Sequence, residues 1–208
     1  QTMKSQRMLR LVESGLLLAL ATLLSMIKVL DLPYGGSITA FSALPILLVA
    51  YRHGVWQGLI TAFAHALIQL MLGANTLSYA TSAAAAVAIV VLDYLLAFTA
   101  LGLGGIFRSK LENRGLSLAL GGLVALFARY LCHVLSGYIL FSGYAEWFFT
   151  QDGFPAWGAK LVESLSPQVL GIVYSLVYNG MYMVPEMIFT AIAAAVLARI
   201  PRIVTKIS

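Results

Sequence analysis

The chain has 208 residues, of which 61% are hydrophobic and only 10% charged, with a formal net charge of +5. Soluble domains sit near ~45–50% apolar and ~25% charged, so an ordinary soluble globule and a disordered chain are excluded. The single cysteine, Cys132, excludes a disulfide scaffold. The basic residues stand at the ends of apolar runs and form no stripe along a helix, which excludes nucleic-acid binding. What is left is an integral membrane protein built of helices.

Apolar runs predict an all-α polytopic bundle of six transmembrane helices, at approximately 9–30, 38–50, 55–72, 83–107, 116–141 and 169–200, within one transmembrane domain over 1–208. A crossing needs ~20 residues for a ~30 Å hydrocarbon core. The second run is short and contains Pro45, so it reads as tilted, broken or partly re-entrant. Charge placement nevertheless calls for six crossings. With the N-terminus in the cytoplasm, the inside segments hold Lys4, Arg7, Arg10, Arg52, Arg108, Lys110, Arg114, Arg199, Arg202 and Lys206. The outside segments hold Lys28 and Lys160, a ratio of ten to two that follows the positive-inside rule. Five crossings would turn the C-terminal basic residues outward. Both termini are therefore expected in the cytoplasm.

In the first run Gly15 and Ala19 lie one turn apart, a small-xxx-small face that packs within the bundle or docks another membrane protein. In the third, His65 and Gln69 form a mild polar face. Asp93 lies ten residues into the fourth run, ~15 Å deep at ~1.5 Å per residue. Arg129 lies thirteen residues into the fifth, ~10 Å from the outer edge of the core. His133 and Gly137 follow it at one-turn intervals on the same face.

The stretch 142–168 is the longest outside the runs and is aromatic. Trp147, Phe148, Phe149, Phe154 and Trp157 read either as an interfacial belt or as a lid over a pocket. In the sixth run Asn179 is about ten residues deep, with Tyr174 nearer the surface, and Glu186 follows Pro185 toward the cytoplasmic half.

Ionisable groups inside a span are costly and mark function by default. Asp93, Tyr94, Arg129, His133, Gly137, Tyr174 and Asn179 come from three runs, yet fall in one layer of the outer half of the membrane. Two readings fit that layer. One is a ligand pocket open to the outside; the other is an internal staple, an Asp93–Arg129 ion pair with His133 hydrogen-bonded to it. Catalysis is not indicated. No nucleophile–base spacing stands out, and no residues cluster as metal ligands or a cofactor site. Gly102, Gly104 and Gly105 lack the Lys-Ser/Thr of a nucleotide loop, so concentrative uptake would need energy from another chain.

Several segments together resemble the thiamine-specific substrate-binding subunits of energy-coupling factor (ECF) vitamin transporters. They are RLVESGLLLALATLLSMI at Arg10–Ile27, LPYGG near Pro33, ALPILLVAYRHGVWQGLI at Ala43–Ile60, LDYLLAFTALGLGGIFR around Asp93, ARYLCHVLSG at Ala128–Gly137 and VYSLVYNG at Val173–Gly180. The resemblance implies a six-helix S component in a prokaryotic plasma membrane. It would capture thiamine from outside and deliver it inward with a transmembrane coupling protein and two cytoplasmic ATPases. It places Gly15 and Ala19 on the docking face. Asp93 and Tyr94 would meet the thiazolium, Arg129, His133 and Gly137 would form the fifth-helix pattern, and Tyr174 and Asn179 would bond the pyrimidine side.

The chain departs from that family's pattern at several places. Asp93 stands where Glu is usual, and Arg129 where Lys is usual. Gly36 replaces one expected Trp and Phe141 aligns with another. The outer loop before the sixth run is longer than the family pattern, so Trp147 or Trp157 is a candidate to supply the missing aromatic face. These changes leave open a thiamine phosphate or a different small vitamin.

Overall fold

The computed structural model describes residues 3–32 and 36–205. Pro33, Tyr34 and Gly35 of the LPYGG segment, and Lys206 of the inside charge set, lie outside the described residues. The chain forms a bundle of long helices with one small hairpin. Helix α1 runs Met3–Ser25, strands β1 (Lys28–Asp31) and β2 (Ser37–Thr39) pair antiparallel, and α2 (Leu44–His53) and α3 (Val55–Leu72) follow. Next comes a composite helical segment. It comprises α4 (Ala83–Ala88), a π-helical stretch Ile89–Leu96, α5 (Ala97–Thr99) and a 3-10 stretch Ala100–Gly105. Helix α6 spans Arg114–Phe141, α7 Ala145–Thr150, α8 Trp157–Ser164 and α9 Pro167–Leu197.

Among the described residues, five helical segments are long and apolar enough to cross a membrane: 4–25, 55–72, 83–105, 114–150 and 167–197. This corrects the expected count of six. The reason lies in the run at 38–50. Ile38 and Thr39 belong to β2, and Phe41 has φ 61, a left-handed conformation that breaks regular structure. Pro45 then sits in the first turn of α2, where its missing N–H costs nothing. Gly54, at φ 96, ends that helix after ten residues. Ten residues rise only ~15 Å, half of a ~30 Å core. Leu44–Tyr51 are all buried, so α2 is the hydrophobic centre of the bundle rather than a lipid-facing element. The hairpin is likewise an addition to the all-α expectation. Its two ends, Lys28–Leu30 and Ile38–Thr39, fall inside the first and second apolar runs and so read as helix by hydropathy.

The outer surface is apolar. Trp56 is 80% exposed and Met71 78%, and Met8, Leu16, Leu23 and Ile60 project outward in the same way. Exposed apolar area on this scale marks a surface made to face lipid. The packing inside depends on small residues. A Cβ on Gly102 would lie 2.5 Å from the Leu59 backbone, and one on Gly58 would lie 2.7 Å from Ala50 Cα. Backbone cannot yield to these contacts, so Gly102→Ala is expected to lower the melting temperature in detergent by about 5 °C or more. A thermal melt checks this, and an unchanged midpoint would contradict the packing account.

Two ends of the bundle can be told apart. At one end lie the hairpin and the C-termini of α1 and α3. At the other, the α2–α3 turn sits beside Glu13, which pairs with Arg52 and accepts from His53 Nε2 at 3.0 Å. Arg108 caps α2 there, donating to the Tyr51 and Arg52 carbonyls at 2.9 and 3.1 Å. Arg52 in turn donates to the Arg202 and Ile203 carbonyls, tying down the C-terminal segment.

Candidate functional site

A cavity of about 450 Å³ opens at the hairpin end, within the size range of small-molecule pockets. Asp93, Tyr94, Arg129, His133, Gly137, Phe141, Tyr174, Asn179 and Gly36 all line it. Sequence reasoning placed all of these but Phe141 and Gly36 in one layer, those two being named through the family resemblance, and the structure brings all nine around one space. The π-helical stretch presents Asp93 and Tyr94 to that space. Its wider turn is a common device at functional sites, because it redirects side chains that a regular α-turn would carry away.

The polar wall is a relay. Arg129 Nε can only donate, and it does so to His133 Nε2 at 3.2 Å. The ring hydrogen therefore sits on Nδ1 and points at Asp93 Oδ1, 2.9 Å away. Ser136 Oγ donates to Asp93 Oδ2 at 2.6 Å. The internal ion pair of the staple reading does not form among the described residues, because His133 lies between the two charges. The Arg129 guanidinium instead lies over the Phe98 ring, 4.2 Å from its centroid. Asp93 thus faces the cavity as a carboxylate held by two neutral donors.

Other side chains are fixed more tightly than the sequence suggested. Tyr94 donates its hydroxyl to the Gly73 carbonyl at 2.8 Å, which leaves its ring to line the cavity. Asn179 donates to the His133 and Ser175 carbonyls at 3.2 and 2.9 Å and accepts from Tyr182 at 2.7 Å. Gly137 lines the cavity, but the space its missing side chain leaves is taken by protein neighbours. A Cβ there would meet Ser175 Oγ and lie 2.9 Å from Asn179 Nδ2, so the glycine makes room for those side chains.

Trp147 does not join the site. It is half exposed and absent from the cavity wall, because the short helix α7 turns Phe148 and Phe149 inward instead. Trp157 stays outside too, packed against Phe154 and Phe149. Together with Tyr174, Phe148 and Phe149 form a second apolar core beside the cavity.

Sequence reasoning missed Ser136, Tyr178, Tyr182 and Phe98. The signal for the first was its place three residues after His133, on the same helical face. The two tyrosines continue from Tyr174 at four-residue steps, and their rings follow one another at 5.8 and 6.5 Å. His65 lies beneath this layer, edge-on to Phe98 at 5.5 Å and fully buried.

Comparison with known proteins decides the family. The sequence profile of the thiamine transporter protein family matches residues 11–205. Thiamine transporter ThiT of Bacillus subtilis (strain 168) is 31% identical over 205 residues, covering 93% of this chain and 92% of that protein. The chain belongs to the thiamine transporter family. A solved structure of ThiT from Listeria monocytogenes shares the fold, with a TM-score of 0.65 at 20% identity over 96% of this chain and 98% of that one. Membership makes the protein a multi-pass membrane transport protein and not an enzyme. Within the family frame, the cavity of this member is polar on the α6 side and aromatic on the α9 side.

Proposed function

We propose that the protein is the substrate-capture subunit of an ECF-type uptake system and binds thiamine in the cavity at the hairpin end. The observation that carries this reading is the cavity of about 450 Å³ in which Asp93 is the one acidic residue among the described lining residues. The thiazolium of thiamine carries a permanent positive charge, and a desolvated carboxylate is its natural partner. The flat rings of the vitamin find faces in His133, Tyr174, Tyr178 and Tyr182, and a cation over such faces is further stabilised. Family membership supports the same ligand.

The hairpin end is the outer end in this reading, because Arg52, Arg108 and Arg202 gather at the opposite end, as the positive-inside rule requires of the cytoplasmic side. The chain then returns from the outer end to the inner end through β2 and the buried α2, inside the bundle and not as a sixth lipid-facing span. The non-helical backbone of β2 is tolerated there because α9 and the cavity flank it. Both termini are cytoplasmic. Gly15 and Ala19 are exposed on α1, and a Cβ on Gly15 would meet nothing within 4 Å, so this face is free to receive a membrane coupling protein that works with separate ATPases.

A thermal-shift screen of water-soluble vitamins on the detergent-solubilised protein tests the class and the ligand together. Thiamine at saturating concentration is expected to raise the melting temperature by about 5 °C or more, by mass action on the folded state. A screen in which no vitamin stabilises the protein would contradict the capture role. Stabilisation by a different vitamin alone would reassign the ligand.

A further inference from the structure

Glu186 is a carboxylate in the interior of a membrane-spanning helix, 4% exposed, and the site described above does not use it. Such a group is expensive in a bilayer and persists only where something satisfies it. Both of its hydrogen-bond partners lie on one residue of the hairpin. The Thr39 backbone N–H donates to Oε2 at 3.2 Å, and the Thr39 hydroxyl donates to Oε1 at 3.1 Å. With that hydroxyl hydrogen committed, the Ser42 hydroxyl, 2.7 Å away, donates to Thr39 Oγ1. No cation lies within 4.0 Å of the Glu186 carboxylate among the described residues, and the Arg129 guanidinium acts on it from farther away.

One turn before Glu186, on the same face of α9, Tyr182 receives the other end of β2. A Cβ on Gly36, the residue before β2, would lie 2.6 Å from the Tyr182 ring, so the backbone there packs close against it. The hairpin is otherwise weakly held. All four residues of β1 are exposed, and Ile38 is the one buried hydrophobic of β2. The link from β2 into α2 passes through Phe41 at its positive φ. Gly36, Ser37, Thr39 and Ser42 all line the cavity.

We propose that Glu186 is a positioning residue of the ligand site: its carboxylate fixes β2 against α9 and thereby sets how readily that wall of the cavity moves when ligand leaves. The role of Thr39 is to present two donors to the carboxylate from one strand position. Movement of β2 away from α9 exposes the carboxylate to the cavity, where water replaces the two donors. The link to ligand release rests on the thiamine-capture reading; the link between Glu186 and the hairpin does not.

The test is hydrogen exchange on the solubilised full chain without ligand, followed by thiamine dissociation rates. In Glu186→Ala, amides within 36–42 are expected to exchange about tenfold faster, with the α3 and α6 amides unchanged, because two bonds to a charged acceptor are lost locally. Glu186→Gln keeps one carbonyl acceptor for the Thr39 N–H and is expected to fall between wild type and Ala. Thr39→Val removes the hydroxyl bond from the opposite side and is expected to match Gln, which keeps the test alive if the Ala variant does not fold. Thiamine dissociation is expected to quicken in the same order. Unchanged exchange at 36–42, or equal acceleration in every helix, would overturn the proposal. So would an unaltered dissociation rate beside fast hairpin exchange. A wild type that bound no thiamine would instead remove the ligand assignment, which the ligand-free exchange reads separately.

Discussion

Asp93→Asn is expected to lower thiamine affinity by about a hundredfold or more while leaving the melting temperature close to that of wild type. The substitution is nearly isosteric. The Asn carbonyl oxygen still accepts the His133 Nδ1–H, which now spans 2.9 Å to Asp93 Oδ1, and the amide nitrogen can donate to Ser136 Oγ. Only the charge is lost. The cavity would lose the one carboxylate among its described lining residues, so a permanent cation would no longer meet the attraction it meets now. Calorimetric titration and a thermal melt on the same preparation separate the outcomes. A lowered melting point with undiminished affinity would mean that Asp93 is a structural staple.

The second large effect concerns transport rather than capture. Leu substitutions at both Gly15 and Ala19 are expected to leave thiamine binding by the isolated subunit unchanged and to reduce uptake in cells at least tenfold. Both residues are exposed on α1 and far along the helix from the cavity-lining Ser25 and Met26, so the bundle itself has no cause to respond. Two branched side chains on that face would hold a partner helix away from close approach. Radiolabelled thiamine uptake, alongside binding by the purified variant, provides the check. Normal uptake would place the docking face elsewhere.

The long helices were legible in the sequence because their apolar runs are long and unbroken. Helix α3 occupies Val55–Leu72, the residues of the third run, and the composite segment starts at Ala83 as the fourth run does. The first run was misjudged at both ends. Helix α1 begins at Met3 because basic residues are good helix formers even outside an apolar run, and it stops at Ser25 because Lys28–Asp31 pair as a strand. Pairing of that kind depends on a partner strand across a turn, which hydropathy does not register. The short α2 could not be placed by length, since burial on all sides relieves a helix of the need to span a bilayer.

The site followed the same logic. Asp93, Arg129 and His133 stood out because charge is rare in a span, and the structure sets them in one hydrogen-bonded chain. The order of that chain was not legible. The Asp–Arg pair of the staple reading gives way to a His bridge because Arg129 and His133 are one turn apart on the same helix, while Asp93 approaches from another. The unremarkable Ser136 and the tyrosines at 178 and 182 carried no charge signal, and only their helical spacing pointed inward. Trp147 shows the converse: a large aromatic in a loop is conspicuous in sequence, yet the local turn of α7 decides which neighbour enters the core.

The account stands on thiamine occupying the cavity with its cationic ring against Asp93. An experimental structure of the protein saturated with thiamine measures this most directly. The predicted result is one thiamine in the cavity at the hairpin end, its thiazolium within ~4–6 Å of the Asp93 carboxylate and its rings against His133 and the α9 tyrosines. Thiamine seated at another surface, or an empty cavity at saturating concentration, would contradict it.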